Sequence, residues 1–350
     1  QHAHRRAGRV GVGVVAVVVQ RHAPLRVQSL HAPARAAAAA TRLRGVQDLN
    51  ARERAFAGVA EYYRQGARRA AYAGDTGRAE LLARNAALLA PWDPDAALAL
   101  ARQRYAVHIV ERSDRLGGNA RQLHRTYRGE DVSAFVDELI EAVKSDDRIR
   151  IHLDTTIANV SGFIGNFKTD LARHSASETI EHGVAILATG AKEHQTDQYL
   201  YGQHPAVVTQ LELDRLFKQN DHRLNAAENI VFIQCVDSRE PDRPYCSKVC
   251  CTHSVKSALQ FKDQNPDVNV YVLYRDIRTY GKREDIYREA RARGVLFFRY
   301  DPDYKPKVKA NENRVEVIFN DPILDRHLSV AADLVCLATG IDSNQSMELA

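Results

Sequence analysis

The sequence predicts an α/β protein with two lobes of the dinucleotide-binding type, the second of them altered. Three observations carry this expectation. Two apolar strands each run into Ala-Thr-Gly, at VAILATG (184–190) and LVCLATG (334–340). Between them, from Asn229, apolar β-formers alternate with helix-like stretches as in a βαβαβ unit. The first turn of that unit holds four of the chain's five cysteines, Cys235, Cys246, Cys250 and Cys251, spaced C-x10-C-x3-C-C. Clusters this tight signal a metal site or a set of disulfides.

A length of 350 residues suits two domains or one large one, and an apolar content of 45% supports a core. The net charge of +5 is spread along the chain and gives no sign of a nucleic-acid partner. No apolar run approaches the length of a membrane span. Composition divides the chain. Residues 1–95 contain no Lys, Ile, Cys or Met and are rich in Ala, Arg and Val, whereas residues beyond 105 read as ordinary globular protein. The first 95 residues therefore read as a helical extension of another character, poorly related to the rest or mis-framed. The chain opens on Gln1 and stops at Ala350 soon after its second Ala-Thr-Gly, and it reads as a fragment.

Within the extension, 4–20 (HRRAGRVGVGVVAVVVQ) reads as a buried strand or an artefact in preference to a signal segment. Its Gly8, Gly11 and Gly13 lack the spacing and the following acid of a dinucleotide loop. Residues 51–103 are Ala-rich with Leu at helical spacing and read as helices, too few for a repeat.

Residues 96–118 (AALALARQRYAVHIVERSDRLGG) read as a helix, a buried strand over 106–110, and Glu111 at its tip. This is the second half of a β-α-β nucleotide unit, in which a strand-tip acid accepts hydrogen bonds from ribose hydroxyls. Gly117 and Gly118 then let the backbone pass close to a ligand. The first half is missing. Its Gly-rich turn belongs near 88–93, where LLAPWD stands, and Trp92 and Asp93 cannot cradle a pyrophosphate. In flavoproteins with two dinucleotide domains, the strand-to-ATG turns end beside the cofactor. Ala188, Thr189, Gly190, Thr339, Gly340 and Asp342 are therefore candidate FAD contacts, weakened by the missing loop.

From Asn229 the expected order is strand 229–234, cysteine loop, helix 252–264, strand 269–274, basic loop, helix 284–293 and strand 295–299. In a nicotinamide-binding lobe the first turn carries the phosphate loop, so this lobe reads as converted from holding a nucleotide to holding a metal group. Disulfide frameworks belong to small secreted domains, and adjacent Cys250–Cys251 does not form the C-x2-C knuckles of a zinc site. A [4Fe–4S] cluster is favoured, with zinc and redox disulfides as alternatives. Cys336 reads as a small core residue. Arg275, Arg278, Lys282 and Arg283 stand where a 2′-phosphate would be held but read as a solvated loop, and His253 as a neighbour of the metal site. Lys256, about one helical turn beyond Cys251, is a candidate to face a reduced, anionic flavin.

The runs IQCVDSRE…YCSKVCCTHSVKSAL, VYVLYRDIRTYGK, VSGFIGNFKTDL, LATGA…YLYGQHPAVVTQLELDRL and LATGID together resemble the A subunits of heterodisulfide reductases and their bacterial relatives, over residues 96–350. The resemblance implies a thioredoxin-reductase-like fold, with an FAD domain interrupted by a second lobe. It implies an oxidoreductase that passes electrons between FAD and a cluster held by Cys235, Cys246, Cys250 and Cys251. It further implies that Glu111 meets the FAD ribose, that the Ile157 backbone meets the adenine, and that Lys256 lies near the isoalloxazine. Partner subunits of a heterodisulfide-reductase-like complex, donors of ferredoxin, hydrogenase or dehydrogenase type, and a cytoplasmic location follow from it too. Any ferredoxin-type cysteine run is lacking.

The expected division is an extension (1–95), the first part of an FAD-binding domain (96–228), the cysteine lobe (229–328) and a return to the FAD domain (329–350). Two other readings stay open. A pyridine-nucleotide disulfide oxidoreductase would need a C-x2-C or C-x4-C pair and a Gly-rich loop. A non-enzymatic zinc-binding module would need neither.

Overall fold

The computed structural model describes residues 15–19, 96–163, 165–311, 314–323 and 325–344. The helices expected over 51–95, and the place of the missing Gly-rich turn, lie outside them. The described residues form two compact units, one drawn from 15–19, 96–116 and 138–189 and the other from 117–137 and 190–344.

The second unit is built on five parallel strands in the order Leu296–Arg299, Asn269–Tyr274, Asn229–Ile233, Leu334–Leu337 and Val207–Thr209. The runs NIVFI, NVYVLY and LVCL are continuous β-formers with no polar alternation, the pattern of strands covered on both faces. Both faces are indeed covered. Ile230, Phe232, Val270, Val272, Leu334 and Cys336 pack against the helices Gln210–Lys218, Cys250–Gln264 and Glu284–Ala292. Val231, Ile233, Leu273, Val335 and Leu337 pack against the antiparallel strands Arg314–Asp321 and Arg326–Ala332. Each large side chain so buried is worth about 1.5–3 kcal/mol. The helix Gln210–Lys218 opens on a capping box, Thr209 with Glu212, which satisfies two backbone donors that would otherwise be orphaned.

The βαβαβ order read from the sequence is present, with one change. The helix after the cysteine loop begins at Cys250, not 252, so Cys250 and Cys251 lie in its first turn.

The fold also divides elsewhere than at residue 228. Val207–Thr209 hydrogen-bonds to Leu334–Leu337, so residues from 190 onward join the cysteine-bearing sheet. For the same reason 334–344 does not return to the first unit. Its strand is an interior strand of the second.

The first unit holds a sheet ordered Ile149–His152, Val107–Val110, Val15–Val19 and Val184–Ala188, with a three-stranded meander of Thr156–Phe163, Asn166–Arg173 and Ala176–His182. Val107–Val110 runs parallel to Ile149–His152, as a nucleotide unit requires. Val15–Val19 lies where the first strand of such a unit belongs, but runs antiparallel to both neighbours, with Ala16 opposite Val110. A reversed strand cannot deliver a phosphate-binding turn at the carboxyl end of the sheet.

The apolar strand before the first Ala-Thr-Gly is expected in the core, yet Val184–Ala188 is the edge strand and is largely exposed. Its counterpart Leu334–Leu337 is fully buried. Among the described residues no helix is long and apolar enough to cross a membrane.

Candidate functional site

The strand Asn229–Ile233 leads into a loop that is strained. Cys235, Asp237, Arg239 and Lys248 all adopt left-handed backbone, with φ of 60°, 51°, 63° and 60°. That conformation costs a non-glycine residue roughly 1–2 kcal/mol. Strain of this kind persists where surrounding contacts over-determine it, commonly at functional sites.

The loop ends in the helix Cys250–Gln264, whose first turn carries no acidic residue and no side-chain cap. Unpaired N–H groups there favour negative charge and thus thiolates. All four clustered cysteines are free thiols, Cys251 buried and the others half-buried. Burial pushes Cys250 up to about 12 and Cys251 up to about 11, and the charges of the other thiols push in the same direction. Burial also raises Cys235, against the pull of Arg239 and Arg275. The charges of Cys235 and Cys246 add to the rise at both Cys250 and Cys251, so the four share one neighbourhood. A set of thiols that resists ionising on its own suits a positive group able to neutralise it.

Of the basic run after strand Asn269–Tyr274, Lys282 and Arg283 are exposed, as a solvated loop requires, but Arg275 and Arg278 are engaged. Arg275 Nη1 donates to Ser238 O (3.3 Å), Arg239 O (3.1 Å) and Glu240 Oε1 (3.1 Å). Arg239 pairs with Asp276 at 2.6 Å, and Arg278 stands 3.7 Å from the same carboxylate. Arg275 thus holds the 238–240 stretch of the cysteine loop, and Arg239 ties that stretch to Asp276. Among the described residues no group of three or more His, Cys, Asp or Glu is gathered tightly enough to hold a single metal ion.

The segment after the second Ala-Thr-Gly strand is engaged by the cysteine loop. An added Cβ on Gly340 (φ 82°) would stand 2.5 Å from Ser247 Oγ and 3.2 Å from Ser238 Oγ. Thr339 O accepts from Ser238 Oγ at 3.1 Å and from Arg243 Nη1 at 3.0 Å. Asp342 accepts from Arg243 Nε at 3.0 Å, Tyr245 Oη at 3.0 Å and His194 Nδ1 at 2.9 Å. The glycine expected to make room for a flavin thus makes room for two serines.

Gly190 (φ 67°) and Gly117 (φ 107°) need glycine for their backbone, and a Cβ on Gly117 would meet Arg121 at 2.8 Å. Gly118 (φ 44°) faces open space.

Lys256 Nζ is held by Asp214 (2.8 and 3.0 Å) and by Arg125 O (2.9 Å). Asp214 is fully buried, and His253 Nε2 lies 3.2 Å from it. Burial pushes Asp214 up, but His253 and Lys256 together outweigh it and hold the carboxyl below its usual range. Burial in turn lowers Lys256. Sequence reasoning missed Asp214. Its signal is an acid inside the apolar stripe Gln210, Leu213, Asp214, Phe217 of an amphipathic helix.

In the first unit, Glu111 is fully buried at the tip of Val107–Val110. Its Oε1 accepts from Ser113 N and Ser113 Oγ, both at 2.8 Å, while its buried Oε2 has no partner. An unpaired buried carboxylate oxygen is costly and marks an acceptor that awaits a donor. Ile157 is half-buried, pairs with Leu171 beside a register shift, and packs with Val110, Leu171 and Ile180. Ala188 is exposed at the end of its strand, and Thr189 follows it.

Fold and site define a two-unit α/β protein in which a parallel nucleotide-type lobe carries four free thiols at its first turn. No family model matches the chain. It is 25% identical over 339 residues to the iron–sulfur A subunit of CoB–CoM heterodisulfide reductase from Methanocaldococcus jannaschii, across 70% of this chain and 51% of that protein. It is 35% identical over 185 residues to the A subunit of H2/formate:CoB–CoM heterodisulfide,ferredoxin reductase from Methanococcus maripaludis, across 47% of this chain and 28% of that protein. Among solved structures it is similar to T. acidophilum thioredoxin reductase, with a TM-score of 0.43 and 12% identity, across 71% of this chain and 73% of that one. The resemblance read from the sequence therefore holds: the chain has curated homologues at 25–35% identity that are heterodisulfide reductase A subunits, and it spans about half the length of the first of them.

Proposed function

We propose that this chain is a flavin- and iron–sulfur-dependent electron-transfer subunit of heterodisulfide-reductase type. The carrying observation is the set of four free thiols on a strained loop and a helix N-terminus. The word iron–sulfur in a homologue's name supports it. A [4Fe–4S] group binds one thiolate per iron, so it suits four thiols that share a neighbourhood without closing on a single ion. When bound, a flavin handles electron pairs and an iron–sulfur cluster single electrons.

The chain's own residues do the rest. Arg239 and Arg275 favour the thiolate of Cys235 and Arg278 that of Cys251, and the first turn of Cys250–Gln264 favours negative charge at Cys250 and Cys251. Glu111 Oε2 is the acceptor for a ribose hydroxyl, and the Ile157 backbone lies further along the same unit. Because the strand Val15–Val19 runs in reverse, this chain is expected to hold FAD weakly. Lys256 stays the candidate to face the isoalloxazine, as a cation shared with Asp214. The remaining Ala-Thr-Gly contacts, Ala188, Thr189 and Gly190, are proposed on the first strand-to-turn segment. Thr339, Gly340 and Asp342 serve the cysteine loop first. Partner subunits of a heterodisulfide-reductase-like complex, donors of ferredoxin, hydrogenase or dehydrogenase type, and a cytoplasmic setting complete the reading.

Anaerobic reconstitution with iron and sulfide tests it. The chain should take up about four irons and show a reduced-state electron paramagnetic resonance signal. A variant with all four cysteines changed to serine should show neither. Identical spectra from the two proteins would sink the cluster.

A further inference from the structure

The four thiols are not held alike. Cys235 follows directly on the buried strand Asn229–Ile233, and Cys250 and Cys251 belong to the helix Cys250–Gln264. Cys246 lies in the stretch 244–247, which belongs to no helix or strand. Something other than secondary structure must fix it.

We propose that Arg243 is the positioning residue for Cys246, latching the loop between Cys235 and Cys246 onto the segment Thr339–Asp342. Arg243 is buried although it lies between exposed Asp242 and exposed Pro244. All three guanidinium nitrogens are engaged. Nη1 donates to Asp237 O (3.2 Å), Ser238 Oγ (2.5 Å) and Thr339 O (3.0 Å). Nη2 donates to Ile341 O (2.9 Å) and lies 3.0 Å from Asp342 Oδ1. Nε stands 3.0 Å from both Asp342 Oδ1 and Tyr245 Oη.

The latch has two flanks. On the Cys235 side, Val236 N donates to Ala338 O at 3.2 Å. On the Cys246 side, Tyr245 Oη donates to Asp342 Oδ1 at 3.0 Å, with its ring under the guanidinium at 4.8 Å. Ser247 Oγ accepts from Ile341 N at 2.9 Å. Cys246 is thus gripped by its two neighbours, and both grip the segment that Arg243 holds. A planar fork with five donors can satisfy three carbonyls, a hydroxyl and a carboxylate together, and lysine's single ammonium cannot.

The inference rests on reading the four thiols as one ligand set, and its test separates the two claims. Site-resolved alkylation of the reduced, metal-free full chain, read by peptide mass spectrometry, needs no cluster. In Arg243→Ala, Cys246 should react about fivefold faster or more, the effect of losing about 1 kcal/mol of local order, while Cys251 and buried Cys336 keep their rates. Arg243→Lys should stay close to Arg243→Ala. Unchanged Cys246 rates, or a rise that Cys336 shares, would overturn the proposal.

The same proteins are then reconstituted with iron and sulfide. Arg243→Ala should resemble Cys246→Ser, losing iron to a chelator faster than the parent and showing a three-iron electron paramagnetic resonance signature. A four-iron spectrum equal to the parent's would also overturn it. A parent that takes up no iron counts against the cluster reading and leaves alkylation to decide on Arg243.

Discussion

In the cysteine unit the interior strands are buried on both faces, while the sheet that carries Glu111 ends on an exposed strand. Ile230 to Ile233 and Leu334 to Leu337 have essentially no solvent contact. In the other sheet Val184 and Leu187 are 37% and 49% exposed. The two sheets draw on similar apolar runs, VAILATG and LVCLATG, so composition does not explain the difference. Neighbours do. Leu334–Leu337 has a parallel strand on each side and layers above and below, whereas among the described residues Val184–Ala188 pairs on one side only, with a strand running the other way. A site needs such a rigid frame, and among the described residues the cysteine loop has one.

The largest effect expected from this contrast is on packing. Phe232→Ala should cost about 3–5 kcal/mol of stability, and Leu187→Ala should stay within about 0.5 kcal/mol, both read by urea unfolding. Similar losses at the two positions would erase the distinction between the units.

A smaller effect is acid sensitivity in the Glu111 unit. His108 Nδ1 lies 2.9 Å from His152 Nε2, and burial first, then the charge of His152, pushes His108 down to about 4. An unfolded chain holds it near 6.5. Between those values the unfolded state binds the extra proton. Stability is therefore complete above about pH 6.5, drains as pH falls toward 4, and levels off below. The loss is on the order of 2 kcal/mol once solvent screening is allowed for. Unfolding of this unit followed from pH 7 to 4.5 should show the slope, and His108→Phe should make it shallower, leaving the part due to His152 and His182, which burial also lowers.

The smallest effect concerns Gly340. Gly340→Ala meets both a left-handed backbone and Ser247 Oγ, and should cost about 1–2 kcal/mol. Adding Ser247→Gly should return the part due to contact. No recovery in the double variant would mean that backbone conformation alone sets the cost.

The sequence showed the parallel lobe well because period and composition are local. The runs at 229–233, 269–274 and 296–299 and the helices between them stand close to where they were expected. The four cysteines were legible for the same reason. What stayed hidden depends on partners distant in sequence. Asp342 carries no mark that it will accept from Arg243, 99 positions away, and Asp214 none that it will hold Lys256, 42 positions away. The direction of Val15–Val19 was hidden too, because an apolar run reads the same in either orientation. The placement of 334–344 was misjudged because Ala-Thr-Gly ends strands in both lobes and does not say which sheet the strand enters.

One feature of the second sheet bears on how the protein is made. Leu334–Leu337 lies between Asn229–Ile233 and Val207–Thr209, yet it emerges from the ribosome after both. At about 5–20 residues per second, the roughly 100 residues between Ile233 and Leu337 take some 5–20 s to synthesise. Throughout that interval Asn229–Ile233 and Val207–Thr209 each present an unpaired edge to whatever else is nascent or crowded around them. The strand that joins them is the last of the five to arrive, and a chaperone that shields those two edges would be guarding a vacancy that only the chain's own distal strand can fill.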